Sequence, residues 1–139
     1  MDKNNFLIEL SESDRTAFGR VDFAAQTPQQ RVFSAIWSLE SQVNSGGFES
    51  FFEYEDPALV AFAPEALQTI GAVSCADIVR RAASANPGHL DDLDSEFYAY
   101  PDDLTDLLYK YVSANPDTFG PTTGGPNNSF KPTPLRGAA

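Results

Sequence analysis

The sequence predicts an all-α fold, a compact bundle of about five or six short helices followed by a disordered C-terminal tail. Three observations carry this expectation. Apolar residues recur at helical spacing up to residue 119, and no stretch there alternates convincingly at period two. Helix-start signals (Thr-Pro, Ser with Asp three residues on, Pro) and stop signals (Gly-Gly, Asn-Pro) punctuate that pattern. Residues 120–139 hold four Pro and four Gly, with only Phe130 and Leu135 as large apolar groups. Such a segment buries too little surface to offset its ordering entropy. The expected organisation is therefore an acidic helical domain over 1–119 and a Pro/Gly-rich tail over 120–139.

Each element has its own local argument. Residues 1–26 leave two readings open, a short strand or a helix over Phe6 to Leu10. Thr27-Pro28-Gln29-Gln30 reads as an N-cap, a first-turn Pro and a capping-box Gln. Val32, Ile36, Leu39 and Val43 then form one stripe, with Phe33 and Trp37 beside it. Asn44-Ser45-Gly46-Gly47 ends this helix, because Gly tolerates the left-handed conformation found after a helix. Phe48, Phe51 and Phe52 begin a second short helical face. Pro64 opens a third helix through Leu67 and Ile70. Ser74 with Asp77 starts a fourth, carrying Ile78, Val79 and Ala82, until Asn86-Pro87-Gly88 breaks it. Leu90, Leu93 and Phe97 mark a fifth. Pro101 opens a sixth through Leu104, Leu108 and Val112, and Asn115-Pro116 closes it.

Composition limits the function. The 139 residues carry 9 Lys+Arg against 20 Asp+Glu, a net charge of −11 and a pI near 4.2. Direct binding of nucleic acid needs the opposite sign, and anionic membrane surfaces repel such a chain. One Cys cannot form an internal disulfide, and one His with one Cys cannot build the usual zinc site. The first ten residues lack the apolar stretch of a signal peptide and no run is long enough to span a bilayer, so a cytoplasmic location is expected. No nucleophile elbow, phosphate loop or His-Glu-x-x-His motif is present. His89 reads as a solvated loop side chain and Cys75 as a buried, inert thiol. The sequence predicts no enzyme, no cofactor and no metal.

Asn44-Ser45-Gly46-Gly47-Phe48-Glu49-Ser50-Phe51-Phe52 resembles the Asn-Asn-Gly-Gly-Phe-x-x-Phe-Phe signature of the bacterial DNA-mimic protein family, with Ser45 where the family has a second Asn. Ala66-Leu67, Ile70-Gly71-Ala72, Leu90-x-x-Leu93-Asp94-x-x-Phe97-Tyr98, Asp102-Asp103-Leu104 and Leu107-Leu108-x-x-Tyr111-Val112 continue the likeness, from about Arg31 to Phe119. The resemblance implies an acidic, mainly helical, dimer-forming protein whose surface carboxylates imitate DNA phosphates. Its partner would be a basic DNA-binding protein, in particular a helix-turn-helix transcription regulator. Residues 127–139 are similar to a tail on otherwise unrelated bacterial proteins, where it looks like a translated recombination site ending a mobile gene cassette.

The charge pattern can be set beside that implication. Residues 40–79 hold seven acids and no base, and residues 82–109 hold seven more and again no base. Glu49/Glu53, Asp92/Glu96 and Asp102/Asp106 are like-charge pairs four residues apart, each costing a helix roughly 0.2–0.5 kcal/mol. Neighbours at that spacing lie about 5–6 Å apart at Cβ, similar to phosphates along a strand. The candidate phosphate mimics are Glu49, Glu53, Glu55, Asp56, Asp91, Asp92, Asp94, Glu96, Asp102, Asp103 and Asp106. Asp91, Asp92, Asp102 and Asp103 also stand near expected helix starts, where a carboxylate caps or meets the macrodipole. Asn44, Gly46, Gly47, Phe48, Phe51 and Phe52 form the expected structural motif. Two rival readings share the surface: an immunity or antidote-like binder of a basic toxin, and a hydrolase or metal-dependent enzyme using some of the carboxylates.

Overall fold

Helices make up the fold because almost every apolar stripe in the sequence finds a partner stripe. The computed structural model describes residues 2–121. Over these it places α1 (Lys3–Ser11), α2 (Pro28–Tyr54), α3 (Pro57–Thr69), α4 (Val73–Ser84), α5 (Leu90–Tyr98), α6 (Leu104–Ser113) and α7 (Pro116–Phe119). Single 3-10 turns stand at Phe23–Ala25 and Pro87–His89, and no strand occurs among the described residues. The expected disorder of the tail falls, from residue 122 onward, outside the described residues.

The long helix α2 is the centre of the bundle. Its capping box forms as expected: Thr27 Oγ1 accepts from the Gln30 N–H at 3.2 Å, and Gln30 Oε1 accepts from the Thr27 N–H at 3.0 Å. Val32, Phe33, Ile36, Leu39 and Val43 are buried, and Trp37 stacks on Phe33 with ring centroids 5.4 Å apart. The helices α3 and α5 pack on α2, α4 packs on α3 and α5, and α1 packs on α6. This order follows from the apolar faces. Leu59, Ala63 and Leu67 of α3, Ile78 and Val79 of α4, Leu93 and Phe97 of α5, and Leu104, Leu108 and Val112 of α6 all reach one core.

Of the two readings left open for Phe6 to Leu10 the helix is the one found, over residues 3–11: Asp2 accepts from the Asn5 N–H at 2.7 Å, and Leu7 and Leu10 are buried. Several local expectations are corrected. The third helix starts at Pro57 rather than Pro64, because Asp56 caps it by accepting from the Ala58 N–H at 2.8 Å. Pro64 then sits inside α3, where burial of Leu59, Ala63, Ala66 and Leu67 outweighs the hydrogen bond that Pro cannot donate. The sixth helix starts at Leu104, with Asp103 as its cap, and not at Pro101. Beyond Asn115-Pro116 the chain makes one more turn, α7. Its Phe119 is buried against Phe33 and Tyr111, at centroid distances of 6.0 and 6.2 Å.

Candidate partner-binding surface

The signature segment builds a bend. Gly47 has φ 75° and ψ −177°, a conformation essentially reserved for glycine. It divides α2 into arms at 28–46 and 48–54, so Gly47, not Gly46, is the glycine with positive φ. A break inside a helix leaves carbonyls of the first arm and N–H groups of the second without intrahelical partners. One face of α5 supplies both. Asp94 Oδ1 accepts from the Phe48 N–H at 2.8 Å, and the Tyr98 hydroxyl donates to the Val43 carbonyl at 2.6 Å. Asp94 and Tyr98 are four residues apart and therefore neighbours on α5. The bend lets Phe48 and Phe51 enter the core, where both are fully buried. Phe48 meets Phe52 and, edge-on, Phe97. Phe52 is only half-buried, and Asn44 and Gly46 are exposed.

The candidate mimic carboxylates divide by what they touch. Asp94 serves the bend. Asp102 accepts from the Cys75 N–H at 2.7 Å and so caps α4 from a distant loop; Ser74 makes no such bond. Asp103 accepts from the Asp106 N–H at 3.0 Å, and Asp56 caps α3. Glu96 is held by the Arg81 guanidinium through two contacts of 2.9 and 2.7 Å. Asp106 lies between Lys3 at 2.5 Å and Lys110 at 3.0 Å. Arg81 holds the Glu96 carboxyl below its ordinary range, and Lys3 with Lys110 does the same for Asp106.

Glu49, Glu53, Asp91 and Asp92 are different. All four are exposed, and among the described residues none of their carboxylates meets a Lys, an Arg or a hydrogen-bond donor. Asp91 and Asp92 occupy the first turn of α5, where the macrodipole favours them. Glu49 shares a shallow groove of about 450 Å³ with Phe52, Val60, Ala82 and Leu90. The start of α5 therefore lies beside the second arm of α2, and its two aspartates follow directly on Leu90. Glu55 is half-buried, with only long contacts of 3.4 Å from Gln42 and from the Asp56 N–H.

Glu40 is absent from the candidate set. Glu40 stands on the buried stripe of α2, four residues after Ile36 and three before Val43, which is the signal that could have singled it out. Burial, and then the charge of Asp103, push its carboxyl up to about 7 from 4.5. Burial, and then Asp102, push the Cys75 thiol up to about 12, in keeping with an inert cysteine. Between about pH 4.5 and 7 the folded chain thus binds a proton at Glu40 that the unfolded chain does not. That contribution is complete below pH 4.5 and is lost as pH rises through 7. Glu40→Gln should flatten the fall in unfolding free energy across this window and add about 2–3 kcal/mol at pH 8. Urea melts at pH 5, 6, 7 and 8 check this.

Among the described residues no group of three or more His, Cys, Asp and Glu gathers to hold a metal ion, and no helix is long and apolar enough to cross a membrane. Comparison with curated proteins and with solved structures returned no match. Comparison with protein families matches residues 24–115 to the one described as DMP19-like protein. That span includes the bend at Gly47, both α5 side chains that support it, and every candidate carboxylate. On this match, the chain belongs to the DMP19-like protein family.

Proposed function

We propose that this chain is a non-enzymatic acidic protein that presents DNA-like carboxylates to the DNA-binding face of a basic protein, a helix-turn-helix transcription regulator being the partner class. The observation that carries the reading is the unpaired exposed set Glu49, Glu53, Asp91 and Asp92 on adjoining parts of α2 and α5. Exposed carboxylates without counter-charges project their field into solvent, and a cationic DNA-reading face is drawn to them. Glu96 and Asp106 contribute less, since Arg81, Lys3 and Lys110 already neutralise them. Asp94 braces the α2 bend beside the set, while Asp56, Asp102 and Asp103 cap α3, α4 and α6, so these four serve the fold first. Membership of the DMP19-like family supports the reading.

Competition tests it. Basic proteins retained on the immobilised chain should be released by duplex DNA and by raised salt, because both compete for or screen the same charges. The salt slope should be shallower than that of the partner on DNA, since protein carboxylates condense fewer counterions than a duplex. Retention of acidic partners that ignore both DNA and ionic strength would rule the reading out.

A further inference from the structure

A second open cavity, smaller than the groove beside Glu49 at about 280 Å³, lies between the loop before α2 and the junction of α2 with α3. Its walls include Phe18, Phe23 and Leu59, and its inner end carries Gln26, Ser34 and Ser38. Two of these polar groups are committed. The Ser34 hydroxyl donates to Gln26 Oε1 at 2.8 Å, and Gln26 Nε2 donates to the Val21 carbonyl at 3.1 Å. Ser38, one turn further along α2, is only 5% exposed and has no hydrogen-bond partner among the described residues. Buried hydroxyls are nearly always paired, so this one has bonding capacity left for whatever enters.

The mouth is acidic. Glu55 and Asp56 both line it. The two bonds to Glu55 are long, at 3.4 Å, and the Asp56 side chain accepts only through Oδ1 among the described residues, leaving Oδ2 open. Of the nearby cations, Arg20 is held by the Glu12 carbonyl and the Asp14 carboxylate, and the Arg31 guanidinium lies 5.9 Å from the Phe23 ring centre and donates to the carbonyls of Phe23 and Ala24. Arg31 is held by those carbonyls, and its place shows that this ring tolerates a guanidinium beside it.

We propose that this cavity binds one guanidinium or alkylammonium group on a short apolar stem, with its N–H donors shared between Ser38 and the Glu55 and Asp56 carboxylates and its stem against Phe18 and Phe23. The proposal rests on the cavity and not on DNA mimicry. The group could arrive on an Arg or Lys side chain of a bound protein or on a free small amine, and the chemistry is the same.

Amide chemical shifts of the full chain, followed during titration, test it. Agmatine is the free-amine probe, an acetylated and amidated Gly-Arg-Gly peptide is the side-chain probe, and N-butylurea is the neutral control. Agmatine or the peptide should give saturable shifts centred on residues 34–38 and 55–59, and N-butylurea should not. Whichever of the two cations binds more tightly identifies the source. Ser38→Ala with Glu55→Gln should weaken binding about tenfold, as loss of hydrogen bonds to a charged group does, while the remaining amide spectrum shows an intact fold. Linear shifts spread over all exposed carboxylates, equal binding of N-butylurea, or unchanged binding by the double variant would overturn the proposal.

Discussion

Gly47→Ala should destabilise the fold by about 3–4 kcal/mol, the sum of a backbone conformation closed to alanine and the loss of a charge-assisted bond. The backbone part comes from φ 75° with ψ −177°. The second part is steric: a Cβ on Gly47 would collide with the carboxylate of Asp94, the group that accepts from the Phe48 N–H. Two variants separate the parts. Asp94→Ala alone leaves the Phe48 N–H unsatisfied in a half-buried place and should cost about 2 kcal/mol. In that background Gly47→Ala should cost less than it does alone, because the collision is gone and only the strain remains. Chemical unfolding of the two single variants and the double variant gives the coupling. Strict additivity would mean that the carboxylate and the glycine do not form one unit.

Phe51→Ala should cost about 3–5 kcal/mol, the range for removing a fully buried ring. Phe51 is 0% exposed and belongs to the core shared by α2, α3 and α5. Phe52, half-buried at the wall of the groove beside Glu49, should tolerate the same truncation at about 1–2 kcal/mol. Equal losses at both positions would show that Phe52 carries more of the packing than its exposure indicates.

The helices α2, α4 and α5 were legible because their signals lie among neighbours in sequence. The stripe Val32–Ile36–Leu39–Val43, the Thr27 capping box, the interruption at Gly47 and the stop at Asn86-Pro87 need no knowledge of the rest of the chain. Pro64 misled for the same local reason. As a start signal it competed with Asp56-Pro57, and only the buried face of α3 decides between them. Long-range chemistry was not legible. The Gly47 bend depends on Asp94 and Tyr98, and α4 takes its cap from Asp102, 27 residues beyond the N–H it serves. The charge tracts show the limit most clearly. Counting acids and bases along residues 82–109 finds no base, yet Lys3 arrives from 103 positions away to hold Asp106. Arg81, one residue outside the tract, turns onto Glu96. A base-free stretch of sequence is therefore not a base-free surface, and the candidate set contracts to the carboxylates that folding leaves unpaired.

The most direct test of the central claim is the association rate of a captured helix-turn-helix partner with two charge-reversed variants. One carries Glu49→Lys and Glu53→Lys on the second arm of α2. The other carries Glu9→Lys and Glu12→Lys, the same change in net charge placed on exposed residues at the other end of the chain. If the unpaired carboxylates beside α5 are the docking surface, the first variant should associate about tenfold more slowly at low salt, with the difference fading as salt screens it. The second should slow association only slightly. Equal slowing by both variants would reduce the effect to net charge, and no slowing by the first would contradict the account.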